Sequence, residues 1–137
     1  MYIVPSGYQN GVVVFEFDLF LEPKAEAWID FRETPTRKTG ALGPEITLSG
    51  KGRAFNRQGE ELARFGVEDW LGVRFETPLD GRGPTALTLS PRGAAPIRLD
   101  LEHQTADFRR LGWVGVTGAA NETAAFFLDN LKLRIEK

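Results

Sequence analysis

Apolar residues occupy every second position along most of this chain, and this pattern restricts the folds open to it. The odd-numbered residues from 13 to 21 are Val, Phe, Phe, Leu and Leu, whereas the opposite parity includes Glu16, Asp18 and Glu22. A β-strand points successive side chains to opposite faces, while an α-helix repeats every 3.6 residues. Because no segment keeps the helical period, the sequence predicts an all-β protein.

Turn-forming residues separate this first strand from further segments with the same alternation, as at Asp80-Gly81 and Ser90-Pro91. About ten short strands at such spacing predict a two-sheet antiparallel β-sandwich with one core between the sheets. Weaker strands are expected at 52–57 and 60–65, and Trp113 is expected in the core. The other residues expected to face the core are Ala27, Ile29, Phe31, Ile46, Leu48, Leu71, Val73, Phe75, Leu87, Leu89, Ile97, Leu99 and Leu101.

Composition excludes several classes of function. The chain has 137 residues and no internal boundary, so residues 1–137 are expected to form a single domain. Its 17 basic and 19 acidic residues give a net charge of -2 without a basic cluster, which argues against nucleic acid as a partner. No apolar run reaches the ~20 residues of a membrane-spanning helix, so no membrane insertion is expected. The absence of cysteine excludes disulfides and Cys-based zinc sites.

The first residues bear on location. They lack the charged start and apolar centre of a signal peptide, and a strand is expected by about residue 11. Such an abrupt start suits a domain excised from a larger exported bacterial protein. In that case we expect an extracellular or periplasmic location.

The last strand carries one carboxylate among apolar neighbours. Phe127, Leu131, Leu133 and Ile135 share a parity that predicts a core face, and Asp129 shares it too. An ionised carboxylate on a core face costs several kcal/mol unless a cation, backbone amides or a metal meets it. The alternative is a bulge at 129–130 that turns this side chain outward and brings residues 126 and 128 inward.

Four segments carry a resemblance to a known family. They are the tryptophan strand at 69–76, the hairpin strand at 86–93, the glycine-containing strand at 108–116 and the final strand at 126–133. In this order they resemble the second half of a concanavalin A-like (laminin G-like) jelly-roll domain, over roughly residues 70–133. This fold is shared by lectins, carbohydrate-binding modules, glycoside hydrolases and accessory domains, so the resemblance implies a fold more firmly than a function.

The resemblance also implies a candidate calcium site. Sugar-binding relatives often hold a structural calcium through an acidic residue of the last strand and one of the first. Asp129 matches the former, and Glu16 or Asp18 could be its partner if the terminal strands pair. The alternative is that arginine or backbone amides satisfy Asp129, since calcium needs six to eight oxygen ligands.

Two tryptophans fall on the polar faces of their predicted strands. Indole rings stack on the C–H faces of sugars, while carboxylates and guanidinium groups bond sugar hydroxyls. The alternatives are that loops cover both rings or that the predicted register is wrong by one residue. The candidate ligand-binding residues are Trp28 with Asp30 and Arg32, and Trp70 with Arg74 and Glu76, which would merge into one platform if both strands lie in one sheet.

The sequence gives only weak support for a catalytic site. The spacing E-x-D-x-x-x-E at residues 16–22 resembles the E-x-D-x-x-E strand of retaining jelly-roll glucanases but departs from it by one residue. His103 is the only histidine and lies in a polar segment, so neither a catalytic triad nor a histidine zinc site is indicated. We therefore expect no enzyme, and a solvated strand face explains Glu16, Asp18 and Glu22.

Three hypotheses of function follow. The first is a non-catalytic module that binds an oligo- or polysaccharide. The second is a structural accessory domain whose exposed aromatic residues pack on neighbouring domains of a parent protein or on a second copy. The third is a retaining glycoside hydrolase that uses Glu16 and Glu22. Apart from the calcium of the resemblance, no cofactor is indicated.

Overall fold

The computed structural model describes residues 2–119 and 124–136, with side chains from residue 9 onward. These residues form eleven β-strands and no helix. The strands are β1 (Tyr2–Gln9), β2 (Val12–Leu21), β3 (Glu26–Arg32), β4 (Leu42–Ser49), β5 (Arg53–Phe55), β6 (Glu61–Arg64), β7 (Leu71–Pro78), β8 (Thr85–Pro91), β9 (Ile97–Leu101), β10 (Arg110–Gly118) and β11 (Phe126–Glu136).

The strands form two antiparallel sheets. Sheet I has six strands in the order β1-β10-β3-β4-β5-β6, and sheet II has five in the order β11-β2-β7-β8-β9. The prediction of an all-β, two-sheet sandwich is confirmed. In the part of the chain that the structure describes, no helix could cross a membrane.

The predicted inward parity is confirmed for the central strands. The odd-numbered residues of β2 from 13 to 21 are all buried, as are Ala27, Ile29 and Phe31 of β3. Phe15 lies within 6.2 Å of both Phe31 and Phe75, ring centroid to centroid, so aromatic packing links the two sheets at the middle of the core. Ile97 and Leu99 of β9 pack against this core but are only partly buried.

The first strand was not expected. β1 contains a proline and a glycine, and the alternation that identifies the other strands is interrupted there. It lies at the edge of sheet I, beside β10. A strand edge is where proline is tolerated, because one side of the strand makes no ladder hydrogen bonds.

The last strand follows the bulged alternative. The pairing of β11 with β2 shifts register between Asp129 and Lys132, and Asn130 has a φ of 53°, in the left-handed region. Phe126 packs against the core as this alternative predicts, whereas Phe127 and Leu131 are 51% and 42% exposed. Leu128, which the alternative also brought inward, is 38% exposed, so that part of it is wrong. The expectation that Phe127, Asp129 and Leu131 face the core is therefore wrong.

Candidate functional site

The two predicted tryptophan groups lie on opposite outer faces of the sandwich. Trp28 belongs to β3 in sheet I, and Trp70 directly precedes β7 in sheet II. The two groups therefore do not merge into one platform. Each outer face has to be considered separately.

On sheet I, the predicted residues contact one another. The indole N–H of Trp28 donates to Oε2 of Glu45 at 3.2 Å. The guanidinium carbons of Arg32 and Arg37 lie 5.6 and 5.5 Å from the centre of the Trp28 ring. At this distance cations are attracted to an aromatic ring, so the Trp28 side chain already has both a hydrogen-bond partner and cationic neighbours.

Asp30 is fully buried beneath the same arginines. Its Oδ2 accepts hydrogen bonds from Nε of Arg32 at 2.7 Å and Nη1 of Arg37 at 3.1 Å, while Oδ1 has no partner among the described residues. Arg37 lies in the 33–41 loop and also donates to Glu45 at 3.2 Å and to Gln104 at 2.7 Å. One loop residue therefore connects β3, β4 and the 102–109 segment.

Trp113 completes the group on sheet I. The guanidinium carbon of Arg32 lies 3.9 Å from its ring centre, and its side chain is only 5% exposed. A Cβ added at Gly115 would meet this ring at 2.2 Å, so glycine provides the space in which the indole lies on the sheet. Trp113 is thus buried as predicted, but under Arg32 on the outer face rather than in the core between the sheets.

On sheet II, three aromatic rings form a row across neighbouring strands. Phe127 of β11 pairs with Phe20 of β2 at a ring distance of 6.3 Å, and Phe20 lies 5.7 Å from Trp70. Phe20 and Trp70 are half-buried and Phe127 is exposed. This aromatic row borders a hollow in the sheet.

The hollow follows the next row of residues. Asp129, Asp18, Gly72 and Ser90 lie opposite one another on β11, β2, β7 and β8. A Cβ at Gly72 would approach Ser90 at 3.3 Å and Asp18 at 3.9 Å, so a larger residue would fill the floor. Two adjoining hollows of about 480 and 400 Å³ share this floor. We call them together the trough; it is lined by Glu16, Phe17, Asp18, Trp70, Gly72, Val73, Arg74, Ser90, Arg92, Asp129, Asn130 and Lys132.

Charged side chains form the far wall of the trough. Glu16 accepts hydrogen bonds from Arg74 at 2.8 Å and from Arg134 at 3.2 Å, and Arg74 also reaches Glu76 at 3.4 Å. Partial burial raises the pKa of Glu16, but the hydrogen bonds and charges of the two arginines outweigh it and hold this pKa below its usual value. The predicted pair Arg74 and Glu76 therefore lies beside the trough, with Arg74 lining it.

The acidic residues of the trough do not fit a calcium site. Glu16 is neutralised by arginines, and no group of three or more His, Cys, Asp or Glu side chains among the described residues could hold a metal ion. Asp18 and Asp129 alone fall well short of six to eight oxygen ligands. Asp129 instead meets backbone, because its Oδ1 accepts the N–H of Asn130 at 2.8 Å.

The glutamates proposed for hydrolysis are far apart. Glu16 and Glu22 are six residues apart along the β2 direction, about 20 Å at the rise of a strand, whereas retaining glycosidases need about 5–5.5 Å. Glu22 also accepts the backbone N–H of Ala125 at 2.6 Å. A general acid needs a raised pKa, and that of Glu16 is lowered. These two glutamates therefore do not form the catalytic pair of the third hypothesis.

A third hollow of about 420 Å³ lies between β4, β5 and the segment from 100 to 104. Polar side chains such as Glu45, Asn56, Arg57 and Asp100 line it, and none of its described lining residues has a phenyl or indole ring. Of these three hollows, the larger one of the trough combines an indole ring, that of Trp70, with polar groups.

The sequence predicts five residues of the trough, Trp70 and Arg74 as ligand-binding residues and Glu16, Asp18 and Asp129 as calcium ligands, but not the others. The residues at the trough that were not singled out as ligand-binding include Phe20, Gly72, Ser90, Arg92 and Asn130. The outward parity of Phe20 was visible in the alternation of β2. The proximity of Asn130 to Asp18, with the amide donating to Oδ2 at 2.7 Å, was not, because 112 positions separate them.

Comparison with known proteins supports the fold. No family model and no curated protein matches the sequence. Among solved structures, a doubly substituted variant of human galectin-16 is similar, with a TM-score of 0.55 and 11% identity over 98% of this chain and 95% of that chain. At this identity the likeness concerns the fold alone, which is a jelly-roll β-sandwich in both proteins.

Proposed function

We propose that this protein is a non-catalytic, lectin-like module that binds an oligo- or polysaccharide in the trough of sheet II. The observation that carries the proposal is the combination of the Trp70 ring with Asp18, Ser90 and Asn130 around one open hollow. Saccharide sites need an aromatic surface for the C–H face of a sugar and polar groups for its hydroxyls. Ligand sites in general combine such apolar surface with a few placed polar groups.

The fold is compatible with this function. One similar solved structure is that of a galectin. Fold alone does not assign function, so the support comes from the side chains of the trough. The Trp28 group of sheet I has a structural role in this proposal, because its indole N–H and the guanidinium groups beside it already bond within the protein.

Equilibrium titration against a panel of soluble polysaccharides tests the proposal. Trp70→Ala should weaken binding about fivefold to tenfold, since the loss of a stacked aromatic ring costs about 1–1.5 kcal/mol. Trp28→Phe is the matched control, because it changes an indole on the opposite face and should leave affinity within about twofold. Equal losses in the two variants, or no binding to any polysaccharide, would contradict the proposal.

The structure also favours a second candidate function, a protein-interaction domain. Phe127, Leu128 and Leu131 of β11 are 51%, 38% and 42% exposed, and β11 is an edge of sheet II. Exposed apolar residues on a strand edge are a typical surface for pairing with another chain. Sedimentation over a range of concentrations tests this function, with Leu131→Lys expected to abolish any self-association. If the protein stayed monomeric at all concentrations, self-association would be excluded and the partner would have to be a different protein.

A further inference from the structure

The charge of the larger hollow of the trough points to a more specific ligand. Resting on the saccharide-binding function proposed above, we propose that the trough binds a saccharide with protonated amino groups, such as a glucosamine oligomer. One ammonium group lies between Asp18 and Asp129 while the ring carrying it packs against Trp70. A neutral or N-acetylated sugar lacks the cation that this arrangement requires.

The first observation is the pairing of two carboxylates. Asp18 and Asp129 are directly opposite in the β2–β11 ladder, and both line the larger hollow. Opposite residues of antiparallel strands have their Cβ atoms about 4.5–5.5 Å apart, and like charges at such positions destabilise the sheet. A cation between the two side chains would remove this repulsion.

The second observation is how the neighbouring charges are used. On this face Glu16 pairs with Arg74 and Arg134, and Arg92 pairs with Asp69 at 3.4 Å. Lys132 lies opposite Glu16 in the β2–β11 ladder and lines the smaller hollow, not the larger one. Within residues 9–119 and 124–136, by contrast, neither aspartate of the trough forms a salt bridge. Each accepts a hydrogen bond from Asn130, Asp18 from the side-chain amide and Asp129 from the backbone N–H. The larger hollow therefore carries negative charge that the described part of the chain leaves without an ion pair.

The third observation is the position of the aromatic ring. Trp70 lines the same hollow as the two aspartates, and Gly72 leaves its floor open. An amino group on a pyranose ring is bonded directly to a ring carbon, so stacking of the sugar brings the ammonium close to both the indole and the carboxylates. Cations are attracted to indole rings as well as to carboxylates. Ser90 and Asn130 remain for the sugar hydroxyls.

Two oligosaccharides of equal length and linkage provide the test. Glucosamine and N-acetylglucosamine oligomers differ in the amine alone, which is charged in the first and acylated in the second. At a pH below the pKa of the amine, we expect the glucosamine oligomer to bind at least about tenfold more tightly, and this preference should weaken with added salt. Trp70→Ala should weaken binding of the glucosamine oligomer.

Charge variants locate the preference. Asp18→Asn and Asp129→Asn should each reduce the preference for the charged oligomer to about threefold or less. Asp107→Asn changes the net charge equally at an exposed position outside the trough, and it should leave the preference unchanged. A loss of preference in all three variants would indicate general electrostatic attraction and overturn the inference.

The remaining outcomes separate the inference from the proposed function. If both oligomers bind equally and Trp70→Ala weakens both, the inference is wrong while saccharide binding stands. If no saccharide binds, both fail. If calcium ions raise the melting temperature and Asp18→Asn removes that effect, the aspartates form a metal site and the inference is overturned.

Discussion

At the scale of single residues, the most unusual feature is the buried carboxylate of Asp30. It is fully buried, with two arginine partners on one oxygen and, within the described part of the chain, none on the other. A buried charge is costly unless it is paired, and removing one partner leaves that cost uncompensated. The stability of sheet I therefore depends on Arg32, which the sequence analysis assigned to ligand binding, and on Arg37.

This dependence predicts the effect of Arg32→Ala. The variant removes one of the two cations paired with Asp30, leaves Arg37, and uncovers Trp113, so urea denaturation should show a loss of about 2–3 kcal/mol in the free energy of unfolding. Arg82→Ala is the control, because Arg82 is exposed and its ion pair with Asp80 is long, at 3.8 Å. This variant should change stability by less than about 1 kcal/mol. Adding Asp30→Asn to Arg32→Ala should restore part of the loss. Equal effects of the two arginine variants would contradict this account.

His103 is the residue that links stability to pH near neutrality. Burial of the imidazole lowers the pKa of His103, and the positive charge of Arg109 lowers it further. The negative charge of Glu102 raises this pKa, but by less than the other two effects lower it. Its Nε2 lies 2.9 Å from the hydroxyl oxygen of Thr85, which in turn donates to Thr77 at 3.0 Å. The oxygen of Thr85 therefore accepts from Nε2–H, which a neutral imidazole supplies.

The lowered pKa predicts a loss of stability in mild acid. As the pH falls from about 7 to about 5, the unfolded chain takes up a proton on this imidazole before the folded one does, so the free energy of unfolding decreases. His103→Gln keeps a side-chain donor without titrating, and it should flatten this pH dependence in urea denaturation. The same slope in the variant and the parent would show that other groups cause it.

At the scale of elements, β11 shows why alternation alone assigns strands better than faces. The parity of residues 127–135 is regular in the sequence, and a regular strand would bury Asp129. The bulge at Asn130 inserts one residue, so the core face holds even-numbered residues such as Phe126 before it and odd-numbered residues such as Leu133 after it. The carboxylate of Asp129 therefore turns outward. A single bulge reverses every face assignment on one side of it.

The backbone of this bulge can be tested with two substitutions. Asn130 has a φ of 53°, a conformation that asparagine and glycine adopt more readily than alanine. Both Asn130→Gly and Asn130→Ala lose the hydrogen bond from the side-chain amide to Asp18. The difference in stability between the two variants therefore reports the backbone conformation alone. We expect the alanine variant to be less stable than the glycine variant by about 1 kcal/mol, measured by thermal unfolding. Equal melting temperatures would mean that the bulge relaxes.

At the scale of the whole molecule, the sandwich was predictable and the trough was not. Alternation within a strand is local, so it identifies β2, β3 and β7 and their core faces without knowledge of their neighbours. A site on a sheet depends on which strands are adjacent. The trough needs β11 beside β2 and β7 beside β8, and the first of these pairings joins opposite ends of the chain. Sequence patterns carry no register for such distant partners.

The same architecture makes a prediction about metals. The two sheets are held together by a continuous apolar core, and the described residues contain no cluster for a metal ion. A ligand that binds only the folded state raises stability by an amount that grows with its concentration. Thermal unfolding should therefore give the same midpoint in calcium and in chelator. A higher midpoint in calcium than in chelator would contradict this prediction. If Asp129→Asn removed that difference, the aspartate pair of the trough would be a calcium site that stabilises the pairing of β2 with β11.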